Sequence, residues 1–127
     1  MLSRKPPRSG TLLGGALPTA PTALINLVTD FRSAKVTLNV DCKKDVAGQH
    51  YYQIGVRLNG NMFWYSGAQG FNTPQYDLVM LHRSFYLPNL PPKQSWEAWL
   101  NASTAGAVWN INAGQGGGVF FMVEDAG

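Results

Sequence analysis

The chain has 127 residues, 45% of them hydrophobic and 13% charged, which fits one domain with a sizeable apolar core. Its single cysteine, Cys42, excludes an intrachain disulfide and a zinc site built from several thiolates, and favours folding in a reducing cytoplasm. No apolar run reaches the roughly 20 residues that a membrane helix needs, so no membrane partner is expected.

The first segment, residues 1–21, differs from the rest and is called the leader here. Arg4, Lys5 and Arg8 account for the whole formal net charge of +3, because Lys/Arg and Asp/Glu balance in the remainder. Several prolines and glycines interrupt the leader, which excludes a helix and disfavours a central strand. We therefore expect an extended arm over 1–21, separate from a body over 22–127.

The leader also carries apolar side chains that a purely solvating tail would lack, namely Leu2, Leu12, Leu13 and Leu17. Three cations alone give a duplex-DNA salt slope of only about −2.7, so direct nucleic-acid binding is not expected. The predicted role of the arm is instead to order against neighbouring protein subunits. Its cations would pair with carboxylates there, and its leucines would be buried.

Two-residue alternation of apolar and polar residues then predicts β-strands along the body, and no helical periodicity is present. A short strand is expected at Ala23–Thr29, and longer ones at Ala34–Cys42 and Gln49–Leu58. In the strand at Ala34–Cys42, Val36 and Leu38 belong to the predicted buried face.

A tight hairpin is predicted next, because Asn59-Gly60 readily supplies the two positive φ angles of a type I′ turn. A two-residue loop would place Val56 opposite Phe63 and Gly55 opposite Trp64. Phe63 and Tyr65 would then face the core, whereas Trp64 would lie on the other face, either under a second layer or as a surface contact.

Four further strands are expected after turn-rich segments: Gln75–Leu87, Gln94–Asn101, Ala105–Ile111 and Gly118–Glu124. The total is seven or eight strands at regular spacing. This layout predicts an all-β protein, an antiparallel β-sandwich or barrel, with a jelly roll as the leading choice.

The residues that carry chemistry form no recognisable constellation. His50 and His82 have no acid nearby at metal-ligand or triad spacing, and each is expected to be an ordinary half-buried or edge histidine. The glycine-rich segment 114–118 lacks the Lys-Ser/Thr of a phosphate loop. We therefore expect a protein that is not an enzyme and has no cofactor and no metal.

The order of arm and sandwich, through MLSRKPPRSGTLLGGALPTAPTA and the alternating runs after it, resembles small viral structural proteins. In particular, the layout resembles that of the jelly-roll cement or decoration proteins of tailed-phage capsids. It implies a virion protein, made in the host cytoplasm, that staples subunits of the major capsid protein. Many copies would form a homo-oligomer on a symmetric particle, and linked weak contacts would become strong. A minor capsid or tail component is the nearest alternative.

A carbohydrate-binding, lectin-like module is the alternative from another class. The sequence has four tryptophans, and flat aromatic faces stack on sugar rings. Trp96 and Trp99 are three apart in a predicted strand, so they should face opposite sides, one of them filling the core. Trp64, with Tyr65 or Phe71 nearby, is the best candidate for a surface platform.

Overall fold

The computed structural model describes residues 4–102, 109–111 and 118–127, which form ten β-strands and no helix. The predicted all-β sandwich of two antiparallel sheets is confirmed. The strands are β1 (Arg8–Leu12), β2 (Thr22–Thr29), β3 (Ala34–Lys44), β4 (Gly48–Leu58), β5 (Asn61–Tyr65), β6 (Gln69–Thr73), β7 (Leu78–Leu87), β8 (Gln94–Ala102), β9 (Trp109–Ile111) and β10 (Val119–Asp125).

The strand order is that of a jelly roll. One sheet, sheet A, runs β1-β10-β3-β7, with β9 also paired to β3; the other, sheet B, runs β2-β8-β4-β5, with β6 also paired to β4. When the short strands β6 and β9 are set aside, each strand pairs with its mirror image about the middle of the chain. The mirror pairs are β1 with β10, β2 with β8, β3 with β7 and β4 with β5. A long antiparallel hairpin rolled into two layers has this pairing.

Alternation along the strands builds the core, as the sequence pattern predicts. Val36, Leu38 and Val40 of β3 have no solvent exposure, and they lie in the same cluster as the fully buried Val56 and Trp96 of sheet B. Trp99 lies on the other face of β8, where the Arg57 guanidinium stacks on its ring at 3.7 Å. The prediction that Trp96 and Trp99 face opposite sides is therefore confirmed.

The Asn-Gly turn is confirmed, but the register of the hairpin after it differs from the prediction. Asn59 and Gly60 have φ of 50° and 81°, and Leu58 pairs with Asn61. A β-bulge then leaves Phe63 without a partner, so that Val56 pairs with Trp64. Since one extra residue flips every later side chain to the opposite face, Trp64 turns toward the core and Tyr65 turns outward.

Two strands were not predicted. β1 lies inside the leader, and β6 lies in a segment expected to be turns only. Other boundaries moved by a few residues: β7 begins at Leu78, not Gln75. Of the strand predicted at Ala105–Ile111, β9 covers the end, and residues 105–108 lie outside the described residues.

A buried side-chain amide links the start of β8 to the end of β2 through hydrogen bonds. Gln94 is 1% exposed, and its Oε1 accepts hydrogen bonds from Thr29 Oγ1 (2.7 Å) and Phe31 N (2.9 Å). Its Nε2 donates to Phe31 O (3.0 Å), while Trp96 Nε1 donates to Thr29 Oγ1 (2.7 Å). This network satisfies every buried polar group that it contains, so removing one member should leave the others unpaired.

We predict that Gln94→Leu destabilises the protein, because the buried Phe31 N–H and the Thr29 hydroxyl proton lose their acceptor, although Trp96 Nε1 still donates to Thr29 Oγ1. The expected loss is at least about 2 kcal/mol of unfolding free energy, measured by chemical denaturation. The matched control is Gln49→Leu, since Gln49 is an exposed glutamine on β4. That variant should stay within about 0.5 kcal/mol of the wild type. Equal stability of the two variants would contradict the prediction.

Candidate assembly surface

The leader lies against its own chain, which corrects the expectation of a separate arm. β1 pairs antiparallel with β10, from Arg8 opposite Val123 to Leu12 opposite Val119. Beyond β1, Ile111 N donates to Gly15 O at 2.8 Å, and Leu17 N donates to Trp109 O at 2.9 Å. The leader is the first strand of the jelly roll, so its ordering needs no neighbouring subunit.

Leu2 lies outside the described residues, and the other three predicted anchor leucines have three different environments. Leu17 is 4% exposed and belongs to the hydrophobic core, and Leu12 packs against that core half-buried. Leu13 is 64% exposed. Gly10 lets β1 approach β2, because a Cβ at this position would lie 2.6 Å from Ile25 Cγ2. Two of the three leucines therefore stabilise this chain's own fold.

The leader cations lie at the surface, and one of them, Lys5, lies beside carboxylates of the same chain. Lys5 Nζ donates to Asp30 O at 2.6 Å and lies 3.5 Å from Asp30 Oδ2. The Lys5 backbone N–H donates to Asp125 Oδ2 at 2.8 Å. Arg4 and Arg8 are exposed. Lys5 was expected to pair with a partner's carboxylate; instead it joins the leader to the end of β10.

We predict that Leu17→Ala lowers the free energy of unfolding by about 2–5 kcal/mol, because it empties a core position. Leu13→Ala is the matched control in the same segment and should change it by no more than about 0.5 kcal/mol. Thermal and chemical denaturation measure both. An arm that orders only on a partner would instead make both variants neutral in the isolated protein.

The contact between Lys5 and Asp125 should depend on pH. The Lys5 N–H foremost, and the Gly127 N–H next, lower the pKa of Asp125 in the folded protein. A lowered folded-state pKa means that the stabilisation is present at neutral pH and is lost as the pH falls through that pKa. We predict that the Lys5 amide then loses hydrogen-exchange protection in acid. Asp125→Ala, which removes the acceptor, should remove the protection at neutral pH, whereas Asp77→Ala, at an exposed aspartate outside the leader, should not.

Trp64 is half-buried and does not lie on the outer face where the predicted register put it. Its ring is 5.5 Å from that of Phe85, and the Arg83 guanidinium lies 5.2 Å from its centroid. It borders a cleft of about 190 Å³ between sheets A and B, with Gln69 and His82 among the other lining residues. The Arg83 side chain lies where a stacked ligand would contact the ring.

The strands β5 and β7 end the two sheets on one side of the sandwich, which we call the open side. The Phe63 and Phe85 rings meet there edge-to-face, with centroids 5.4 Å apart. Eleven large hydrophobic side chains are exposed among the described residues, and six of them lie on β5 or β7. These six are Met62 (43%), Phe63 (37%), Tyr65 (44%), Leu78 (39%), Met80 (58%) and Tyr86 (60%).

The open side is also poor in charge. Arg83 is the only Lys, Arg, Asp or Glu of β5 and β7, both of which are fully described. Contact surfaces between proteins are depleted in charged residues at their centres and enriched in aromatic residues, Met and Arg. Sequence reasoning did not identify this surface, because neither edge position nor the bulge at Phe63 is visible in an alternating pattern.

The groups considered for catalysis make local contacts. His82 Nδ1 contacts Asn39 Oδ1, and His50 Nε2 contacts Ala47 O at 3.2 Å. Cys42 has no solvent exposure; its burial, with the neighbouring Asp41 carboxylate, raises the pKa of its thiol. Among residues 4–102, 109–111 and 118–127, no three His, Cys, Asp or Glu side chains are grouped to hold a metal ion. The same residues contain no helix long and apolar enough to span a membrane.

No protein-family model and no curated protein matches this chain. The open side is the surface of the described chain that bears most directly on function. Its exposed apolar side chains offer area to bury, and its Phe63–Phe85 contact holds the edges of the two sheets together. A surface of this kind is suited to binding another protein.

Proposed function

We propose that this chain is a non-enzymatic structural subunit of a virion, a cement or decoration protein that binds the major capsid protein. The observation that supports the proposal is the concentration of exposed apolar side chains on the open side. A minor capsid or tail component would use the same surface in the same way. No reaction is assigned to the chain, and its proposed role is to bind to the capsid.

Burial of the open side supplies the driving force. Each Met, Leu or Phe side chain that becomes fully buried contributes about 1.5–3 kcal/mol. Binding also costs translational and rotational freedom, so a few partly buried side chains give a weak contact for one copy. On a particle with many copies, linkage between neighbours raises the effective concentration and converts weak contacts into stable occupancy.

The leader contributes to this attachment indirectly. It supplies β1 and the core residue Leu17, so it fixes the sandwich on which the open side is built. Stapling of capsid subunits by a free arm, as the sequence suggested, is not part of the proposal. Exposed Arg8 and Leu13 remain available for secondary contacts at the opposite edge of sheet A.

A saccharide-binding role is less well supported by the geometry. The cleft beside Trp64 has polar groups of Gln69 and His82, as a sugar site needs, but the Arg83 guanidinium is placed over the tryptophan ring. A stacked sugar would have to displace it. Saccharide-dependent quenching of tryptophan fluorescence, lost in Trp64→Ala, would support this alternative over a virion role.

The proposal predicts that the protein is present in many copies on purified particles from cells that produce it. Quantitative mass spectrometry and cryo-electron microscopy measure its copy number. The double variant Met62→Ser/Tyr65→Ser should lose at least tenfold in occupancy, since it removes exposed apolar surface without touching the core. Val28→Ser is the matched control, because Val28 is 65% exposed on β2. Absence of the wild-type chain from particles, or equal occupancy of both variants, would contradict the proposal.

A further inference from the structure

The edge of β7 presents a regular row of backbone groups. Lys44 N donates to Asp77 O at 3.1 Å, so the backbone of Lys44 points toward β7. Asp41 N donates to Gly118 O at 3.0 Å, so the backbone of Asp41 points to the other side of β3. Peptide direction alternates along a strand, and therefore the even-numbered residues of β3 face β7.

The register between β3 and β7 then gives the direction of the backbone N–H and C=O groups of β7. Cys42 pairs with Val79 and Val40 pairs with Leu81, so the odd-numbered residues of β7 direct their N–H and C=O groups to β3. The even-numbered residues direct theirs away from it. No other described strand pairs with β7. The outward residues are Leu78, Met80, His82, Ser84 and Tyr86.

Apart from one charged residue, Arg83, this edge lacks the features that usually prevent strand addition. Natural edges are short, or carry proline, lysine or a bulge. β1 has five residues and follows Pro6-Pro7, and β2 follows Pro21 and has a register shift. β7 has ten residues, pairs with β3 without a shift, and contains neither proline nor lysine.

The composition of the outward residues favours a partner that is uncharged along this edge. All five are exposed, and none is Lys, Arg, Asp or Glu. An identical edge meets this condition at the five outward positions, and the one charged residue of β7, Arg83, turns to the other face, where its guanidinium lies 5.2 Å from the Trp64 ring centroid. Met80 (58% exposed) and Tyr86 (60%) would gain apolar neighbours.

We propose that β7 pairs antiparallel with β7 of a second copy of this chain, about a two-fold axis at His82. In this register Leu78 lies opposite the second copy's Tyr86, Met80 opposite its Ser84, and His82 opposite its His82. This is the symmetric register that uses every outward residue, and it forms about ten backbone hydrogen bonds. The contact is isologous and joins the two A sheets into one.

The pairing goes beyond the proposed virion role, because it is a property of the isolated protein and leaves β5 free for another partner. Sedimentation equilibrium of the purified full chain should therefore show a dimer without any capsid protein. Ser84→Pro removes one outward N–H and leaves the ladder to β3 intact, so it should shift the chain to monomer. Ser84→Ala keeps the N–H and should remain a dimer. Circular dichroism reports whether each variant is folded.

Cysteine cross-linking tests the register, even if Ser84→Pro fails to fold. Directly opposite residues in a hydrogen-bonded antiparallel pair have Cα atoms about 5.5 Å apart, within the range of a disulfide. His82→Cys should form a disulfide-linked dimer under mild oxidation. Ser84→Cys alone should not, because its partner is Met80, whereas Met80→Cys/Ser84→Cys should. The native thiol does not interfere, since Cys42 has no solvent exposure.

Three results would overturn the pairing: a monomeric wild type at high concentration, a folded Ser84→Pro variant that dimerises as Ser84→Ala does, or no cross-linking in His82→Cys. If the wild type is monomeric and its β7 instead pairs with a strand of another protein, the proposed self-pairing is also overturned. Loss of the dimer together with normal particle occupancy would reject this inference and leave the virion role standing. A wild-type protein that dimerises in solution but is absent from particles would support this inference and reject the virion role.

Discussion

The pairing of β1 with β10 is the contact on which the rest of the structure depends. It joins Arg8 to Val123 and so brings the first and last described strands of the chain side by side. Once these two strands are adjacent, every strand between them except β6 and β9 lies beside its mirror strand, and the two layers close over one core. Pairing over such a sequence separation carries a large loop-closure cost, so folding is expected to be slow relative to proteins with local contacts.

The two sides of the sandwich differ in how well their edge strands are protected. On one side, Gly10 allows β1 to lie close to β2, and prolines precede both strands. On the other side, β5 and β7 are held together by aromatic contacts around Phe85 but leave apolar side chains in water. Exposed apolar area at an unprotected edge is a liability for a free monomer and an advantage for a subunit that is meant to be covered. The two proposals divide this side between them, with β5 for a foreign partner and β7 for a second copy.

Alternation was enough to predict the sandwich, the buried face of β3 and the opposite directions of Trp96 and Trp99, because burial on one face imposes period two directly on the sequence. The bulge at Phe63 was not predictable, since one unpaired residue leaves no mark on local composition, yet it reversed the faces of Trp64 and Tyr65. The leader was misjudged because its prolines were weighed over the whole segment, whereas the ten residues from Arg8 to Leu17 contain none. Buried polar contacts, such as Lys44 Nζ on Phe71 O at 3.0 Å, depend on partners distant in sequence and have no local signal.

The contact between Lys5 and Asp125 has a practical consequence. Because the backbone N–H of Lys5 is 2.8 Å from Asp125 Oδ2, the described chain starts and finishes at the same corner of sheet A. Three strand spacings, about 14 Å, separate β1 from β7 across that sheet. A fluorescent reporter or a displayed antigen fused to either end would therefore project from the corner away from β7. Such a fusion would leave the exposed edge of β7 accessible.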